Sequence, residues 1–313
     1  MTTALVTGCA GFVGSHVCDL LLERGEHVRG VDALTDYYDV GQKRESLSEL
    51  TAHPRFDGIV ADIVEMSLDV LDGVDVIYHQ AGQPGVRSSW RDQFDEYLNR
   101  NVLATQRLLE AAVQRGVERF VYASSSSLYG NAERYPVDES MRPQPFSPYG
   151  VTKLAAEHLC SLYGTNFGLS TVSLRYFTVY GPRQRPDMAT YRLFEAALNG
   201  TPFPLFGSGE QLRDFTYVGD VVRANLCAAS ADVAPGLVVN IAGGGQCSML
   251  ELIAMVEDVT GRSIDLDRQQ PERGDVGRTG ASTDRAREAI GWVPEVELVE
   301  GLRLQHEWHL SRR

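Results

Sequence analysis

A short apolar, β-rich run, Ala4-Leu5-Val6-Thr7, passes directly into Gly8-Cys9-Ala10-Gly11-Phe12-Val13-Gly14, and an amphipathic stretch follows to about Arg24. Strand, glycine-rich turn and helix in that order open a dinucleotide-binding βαβ unit, so this start directs the chain to the open α/β folds. Gly8 permits the tight turn, Gly11 lets a pyrophosphate approach the backbone, and Gly14 lets helix and strand pack closely. The free N–H groups and positive end of the helix then face the phosphates. A second strand, His27 to Val31, ends in Asp32, about where an acid takes the ribose hydroxyls of NAD and repels the extra phosphate of NADP. NAD is the expected cofactor; the competing reading of Asp32 is a turn aspartate after a strand.

The rest of the first half alternates in the same way. Phe56 to Val60 predicts a third strand, ending at Asp62-Ile63, and Val74 to Tyr78 a fourth, running into His79-Gln80-Ala81-Gly82. Arg119 to Ala123 and Thr171 to Tyr176 predict the fifth and sixth. Between them lie a charged helix with Lys43 and Arg44, a long helix from Leu98 to Arg115 containing Asn101, and a helix carrying Tyr149. Strands alternating with helices of this length form a doubly wound parallel sheet, a Rossmann arrangement.

Beyond Tyr176 the texture changes. Phe203 to Phe206 and Val238 to Ile241 predict short strands, and Val218 to Ala229, Ser248 to Thr260 and Leu298 to His309 predict helices. The expected organisation is a NAD-binding domain of residues 1–176 and 214–242, with a smaller interleaved α/β lobe of residues 177–213 and 243–313 closing over the substrate.

The formal net charge of −13 opposes nucleic acid and anionic membrane surfaces as partners. The five cysteines are scattered and form no C-x-x-C, which fits reduced thiols and a cytoplasmic location. No signal peptide or membrane span is expected, His-Glu-x-x-His is absent, so no metal is expected, and the absence of Gly-x-Ser-x-Gly argues against a serine hydrolase.

The chemistry concentrates between Ser124 and Lys153. Tyr149 and Lys153, four apart, share one helix face, so the ammonium is expected to favour ionisation of a phenol whose free pKa is about 10. That makes Tyr149 a base, with the hydroxyls of Ser124-Ser125-Ser126-Ser127 nearby to bind an oxygen. The loop Gly82-Gln83-Pro84-Gly85-Val86-Arg87 follows a strand, where open sheets bind ligands, and Arg87 is a candidate anion ligand or a surface arginine. Arg183, Arg185, Arg192 and Arg213, clustered in an acidic chain, suggest a bound phosphate or carboxylate, some of them pairing instead with surface acids.

Taken together, Gly8-x-x-Gly11-x-x-Gly14, Asp62-Ile63, Asn101, the serine run, Tyr149-x-x-x-Lys153 and Arg213-Asp214-Phe215 resemble the extended short-chain dehydrogenase/reductase superfamily, and within it the nucleotide-sugar epimerases and dehydratases. Asp36-Tyr37-Tyr38-Asp39 with Lys43-Arg44, Gly85-Val86-Arg87, and Thr178-Val179-Tyr180-Gly181-Pro182 with Arg185-Pro186-Asp187-Met188 look like UDP-glucuronate 4-epimerases, although those relatives usually carry Trp-Gly at Arg183-Gln184. The resemblance implies Tyr149 as base, Lys153 as its electrostatic partner and Ser125 as the catalytic hydroxyl. It implies cofactor contacts from Gly8, Gly11, Phe12, Val13, Asp32, Asp62 and Ile63, and further from Gln80, Ala81, Gly82, Asn101, Tyr149, Lys153 and Tyr176. For the sugar or its carboxylate it implies Ser126 and Ser127, with Gly85, Val86, Arg87 and Thr178 as further substrate-binding candidates. Arg185, Gln211, Arg213 and Asp275 are implied on the UDP side, and Arg192, from the arginine cluster, is a further substrate-binding candidate.

The expected reaction is interconversion of UDP-glucuronate and UDP-galacturonate through transient oxidation at C4, in a homodimer paired through the Leu98–Arg115 and Tyr149–Phe167 helices. The glutamate that sister decarboxylases place near the serine run, and the Asp-Glu pair of dehydratases, are absent from Ser125-Ser126-Ser127. The rival readings are a UDP-glucose 4-epimerase or other UDP-sugar 4-epimerase and, from another class, a non-catalytic NAD-sensing regulator.

Overall fold

The computed structural model describes residues 2–271, 274 and 276–313. The first half contains β1 (Thr3–Thr7), α1 (Phe12–Glu23), β2 (His27–Asp32), α2 (Val40–Thr51), β3 (Phe56–Val60), β4 (Val76–His79), α3 (Phe94–Tyr97), α4 (Ala104–Arg115), β5 (Arg119–Ser125), α5 (Pro148–Phe167) and β6 (Ser170–Tyr176). There follow β7 (Thr178–Tyr180), α6 (Ala189–Asn199), β8 (Phe203–Phe206), β9 (Leu212–Tyr217), α7 (Val218–Ser230), β10 (Leu237–Ile241), β11 (Gln246–Ser248), α8 (Met249–Thr260), β12 (Leu266–Gln269), α9 (Asp284–Ile290) and α10 (Leu298–Ser311).

Seven strands form one sheet in the order β10-β6-β5-β4-β1-β2-β3, and every neighbouring pair in it is parallel. Parallel neighbours need crossovers, and helical crossovers cover both faces, so the central strand β1 is buried on both sides, while edge strand β3 stays partly exposed. Ala4, Leu5 and Val6 of β1 are all fully buried. Ala4 and Val6 join one core with Val17 and Leu21 of α1, Val221 of α7 and Ile290 of α9. Leu5 joins the core on the other face with Leu108 and Ala112 of α4 and Ala156 and Cys160 of α5. The winding reverses between β1 and β4, and the crevice at their C-terminal ends is where such sheets bind ligands. Among the described residues no helix is long and apolar enough to cross a membrane.

A three-stranded sheet, β11-β9-β7, and a two-stranded sheet, β12-β8, surround a third core built on Leu193, Phe194, Phe203, Phe215, Leu252 and Leu302. The interleaving is deeper than expected from the sequence. The strand holding Arg213 continues through Tyr217 in the small sheet, so the expected boundary at residue 214 falls inside β9. Ala286, Ile290 and Trp292, expected in the smaller lobe, pack in the core of the main sheet.

The helix expected from Leu98 to Arg115 is also different. After α3 the chain widens into a π-helical turn over Leu98–Leu103 before α4 begins, and this turn buries Asn101. Such wide turns are uncommon and gather at functional sites. At α5, the Ser147 side chain accepts from Gly150 N at 3.1 Å, with Pro148 in the first turn, so the helix starts where Tyr149 sits in its first turn. Gly168, left-handed at φ 70°, ends it.

Candidate active site

The N-terminus of α1 is built as an open cradle. Gly11 caps it with extended backbone and no side-chain bond, leaving the first N–H groups directed at the crevice. A Cβ on Gly14 would overlap the Gly8 carbonyl oxygen, and one on Gly8, which has φ 70°, would stand 2.8 Å from Ala81 N. Asp32, at the end of β2, accepts from Ala10 N at 3.1 Å and Leu34 N at 2.8 Å, which orients its carboxylate along the crevice wall. The bare helix end, the cradle a Cβ would fill and an acid at the neighbouring strand end fit the pyrophosphate and ribose of a dinucleotide.

A cleft of about 830 Å³ runs from this cradle past the serine run to β8. Of the described site residues expected from the sequence, all line it except Asn101 and Arg183. Asp275 lies outside the described residues. Asn101 lies beneath the lining: its side chain accepts from Gln83 N at 2.7 Å and donates to Gln83 O at 3.1 Å and Thr152 Oγ1 at 3.0 Å. It therefore holds the Gly82–Arg87 loop against α5 and presents no free polar atom to a cofactor. Gln80 and Tyr176 do line the cleft and brace each other, with Tyr176 OH donating to Gln80 Oε1 at 3.0 Å and Asn225 bonding both. Among the described residues no cluster of His, Cys, Asp or Glu has a metal-binding arrangement.

At the catalytic end, Tyr149 lies half-buried against Tyr97, edge to face with centroids 6.3 Å apart. Burial pushes its phenol above the ordinary value; a hydrogen bond with Ser125 and the charge of Arg185 act in the opposite direction. Arg185, reaching in from the loop after β7, thus adds a cation acting on Tyr149. Lys153 Nζ donates to Ala123 O at 2.7 Å and lies 4.9 Å from the Tyr122 ring centroid, and burial pushes it down to about 8. Ser125 Oγ accepts from Ser127 N at 3.2 Å, which folds Ser125, Ser126 and Ser127 along the cleft. Ser124 turns away and donates to buried Glu157 at 2.6 Å.

The arginines divide. Arg185 reaches the cleft and pairs with Asp187 through two bonds of 3.0 and 3.1 Å. Arg213 lines the cleft and donates to Leu212 O at 2.8 Å. Arg87 lies over the Phe206 ring at 4.2 Å and Arg192 over Phe203 at 5.8 Å. Arg183 points away and pairs with Asp19 of α1. From sequence, Phe203–Phe206 shows only a short strand. In the fold this stretch lines the far end of the cleft, where flat rings beside cations suit a base and diphosphate, and only the distant Arg87 and Arg192 reveal it. Tyr37 was also unassigned; it lines the cleft and its hydroxyl bonds Asp187 at 3.4 Å.

Residues 4–242 match the model of the NAD dependent epimerase/dehydratase family. The chain is 42% identical over 300 residues to a protein of Bacillus subtilis described as an uncharacterized UDP-glucose epimerase, YtcB, covering 95% of each chain. It is 35% identical over 310 residues to the UDP-glucuronate 4-epimerase of Thermodesulfobacterium geofontis, covering 97% of this chain and 95% of that one. Its fold superposes on the crystal structure of UDP-glucuronic acid 4-epimerase from Bacillus cereus, in complex with UDP-glucuronic acid and NAD, with a TM-score of 0.96 and 40% identity over 100% of both chains.

Proposed function

The chain belongs to the NAD dependent epimerase/dehydratase family as a UDP-sugar 4-epimerase, and we propose that its substrates are UDP-glucuronate and UDP-galacturonate. The observation that carries the choice of sugar is the end of the cleft at Tyr149. There the serine run and Thr178 line the cleft, and Ser126, Ser127 and Thr178 share a recess with Arg87. Hydroxyl donors and a cation suit a C6 carboxylate, whereas the neutral C6 hydroxymethyl of UDP-glucose needs no cation.

When bound, NAD supplies reversible hydride acceptance at the sugar C4. Tyr149 removes the proton from the 4-hydroxyl as C4 is oxidised and returns it to the opposite configuration on reduction. Ser125 bonds the phenol and steadies the same oxygen, and Lys153 adds a positive charge one helical turn away. Arg185, Gln211 and Arg213 hold the diphosphate end while the keto sugar turns in the cleft. Thr178 and the serine hydroxyls hold the carboxylate away from the orientation for C–C cleavage, to which a β-keto acid is prone. The reading also carries a homodimer, paired where Leu103, Val151, Leu162 and Phe167 are exposed along α5 and its neighbour, and a cytoplasmic location; sedimentation showing only monomer at working concentration removes the dimer.

The test offers UDP-glucuronate and UDP-glucose side by side, without added NAD, and follows products by NMR. Formation of UDP-galacturonate is the expected result. Turnover of UDP-glucose with none of UDP-glucuronate makes the protein a UDP-glucose 4-epimerase, the substrate named for the Bacillus subtilis relative. No turnover of any UDP-sugar revives the NAD-sensing regulator.

A further inference from the structure

The segment between β7 and α6 carries Arg185 into the cleft, yet it is fastened from behind. Arg183 Nη2 bonds Asp19 Oδ2 on α1, and His16 Nε2, one turn nearer the glycine cradle, donates to Pro182 O at 2.9 Å. Burial pushes His16 down to about 4, so it serves as a neutral donor at ordinary pH. The next residue fastens the segment in the other direction. Gln184, 1% exposed, donates to Val179 O at 3.0 Å, and its Oε1 accepts from Tyr191 N and Gln305 Nε2, each at 2.9 Å, and from Thr190 Oγ1. Arg183 itself is left-handed, with φ 59°, a conformation unfavourable for a residue with a Cβ unless its surroundings hold it there. Arg185, by contrast, has only Asp187 of its own loop as a hydrogen-bonded partner for its guanidinium in the bonds described. Its position is therefore inherited from its neighbours.

We propose that Arg183 and Asp19 form a latch between the helix that cradles the dinucleotide and the loop that meets the sugar, and that Arg183 is the positioning residue that sets Arg185 beside Tyr149. The proposal rests on the UDP-sugar reading for its effect on turnover, while the latch itself is a property of the chain. α1 begins at the cradle and presents Asp19 on its second turn, and Gln184 secures the same loop to α10 and α6. The loop is pinned between the two halves of the molecule, with the ion pair as the tie to the cofactor side. The pair is partly exposed, at 20% and 35%, so salt weakens it.

The experiment compares wild type, Arg183→Ala, Asp19→Arg and the swapped Asp19→Arg/Arg183→Asp protein, each with its retained NAD. The first readout is hydrogen–deuterium exchange of the backbone amides from Gln184 to Met188. Exchange is expected to be faster in both single variants and to return towards wild type in the swap. The second is steady-state turnover of UDP-glucuronate. Arg183→Ala is expected to raise KM about tenfold, as Arg185 is lost to the substrate, and to lower kcat about threefold with its pH profile shifted upward, as the same cation leaves Tyr149, and the swap recovers most of both losses. Unchanged exchange in Arg183→Ala overturns the latch whichever sugar is used. Faster exchange with unchanged KM overturns the positioning role. A swap that folds, judged by its circular dichroism, but recovers neither readout overturns the ion pair as the agent. Failure of the wild type on every UDP-sugar overturns the substrate reading instead, and the exchange result still decides the latch.

Discussion

Truncating Glu157 to alanine is expected to destabilise this fold by about 3–5 kcal/mol, the usual penalty for stranding one partner of a buried ion pair. Glu157 lies one turn beyond Lys153 on α5, and its side chain and that of Arg175 on β6 are only 3% and 5% exposed. Oε2 accepts from Ser124 Oγ at 2.6 Å and Arg175 Nε at 3.0 Å, and Oε1 accepts from Arg175 Nη2 at 2.6 Å. Truncation leaves the guanidinium one hydrogen bond described, that of Nη1 to Tyr129 OH at 2.6 Å, with its charge unpaired. Removing both charges together, as in Glu157→Leu/Arg175→Met, is expected to cost only about 0–2 kcal/mol, because the desolvation of both ions is relieved with them. The coupling across the cycle of Glu157→Leu, Arg175→Met and the double variant should then exceed about 2 kcal/mol. Urea unfolding followed by circular dichroism measures it, with the same excess of NAD in every sample because bound ligand raises apparent stability. The catalytic consequence runs the other way. In the stable double variant Ser124 loses its anchor, and adjacent Ser125 is no longer fixed against Tyr149, so kcat should remain depressed about tenfold although folding is restored. Additive single effects, or single losses below about 1 kcal/mol, refute the pair as an anchor.

Three further outcomes follow from the site. Gly14→Ala places a methyl against the Gly8 carbonyl, so the purified protein should lose most of its NAD, read from the ratio of absorbance at 260 and 280 nm. Tyr149→Phe removes the proton carrier and should lower kcat by about 10²–10⁴ with KM little changed, measured by NMR; conversion at the wild-type rate contradicts the mechanism. Asp214 is raised by burial from 3.8 to about 7, its carboxylate accepting from Gly243 N at 2.9 Å and Ala281 N at 3.4 Å. The fold holds its proton where the unfolded chain has released it, so that contribution is present below pH 3.8 and is lost as pH rises through about 7. Asp214→Asn should therefore gain on wild type across that window, by roughly 2–4 kcal/mol once complete, seen as a melting temperature that falls less between pH 4.5 and 7.5.

The parts of the molecule legible in its sequence are those governed by spacing along one local element. The strand–glycine–helix opening, Asp32 at the end of β2, and Tyr149 and Lys153 on one turn of α5 each require only neighbours within a few residues, and the fold places all of them on the cleft. The alternation of strands and helices likewise determined a doubly wound parallel sheet, because parallel neighbours demand crossovers. What the tertiary structure alone decided are contacts between distant residues and the loss of water around them. It set Arg87 over Phe206, turned Arg183 from the cleft to Asp19, carried β9 past the expected boundary, and packed Ile290 and Trp292 onto the main sheet. It also added to the electrostatics of the catalytic tyrosine. Helical spacing put Lys153 one turn from Tyr149, while burial raised the phenol and a further cation, Arg185, came from another loop. A helical repeat states which side chains share a face; how tightly each holds its proton depends on the water and charges left around it when the chain closes.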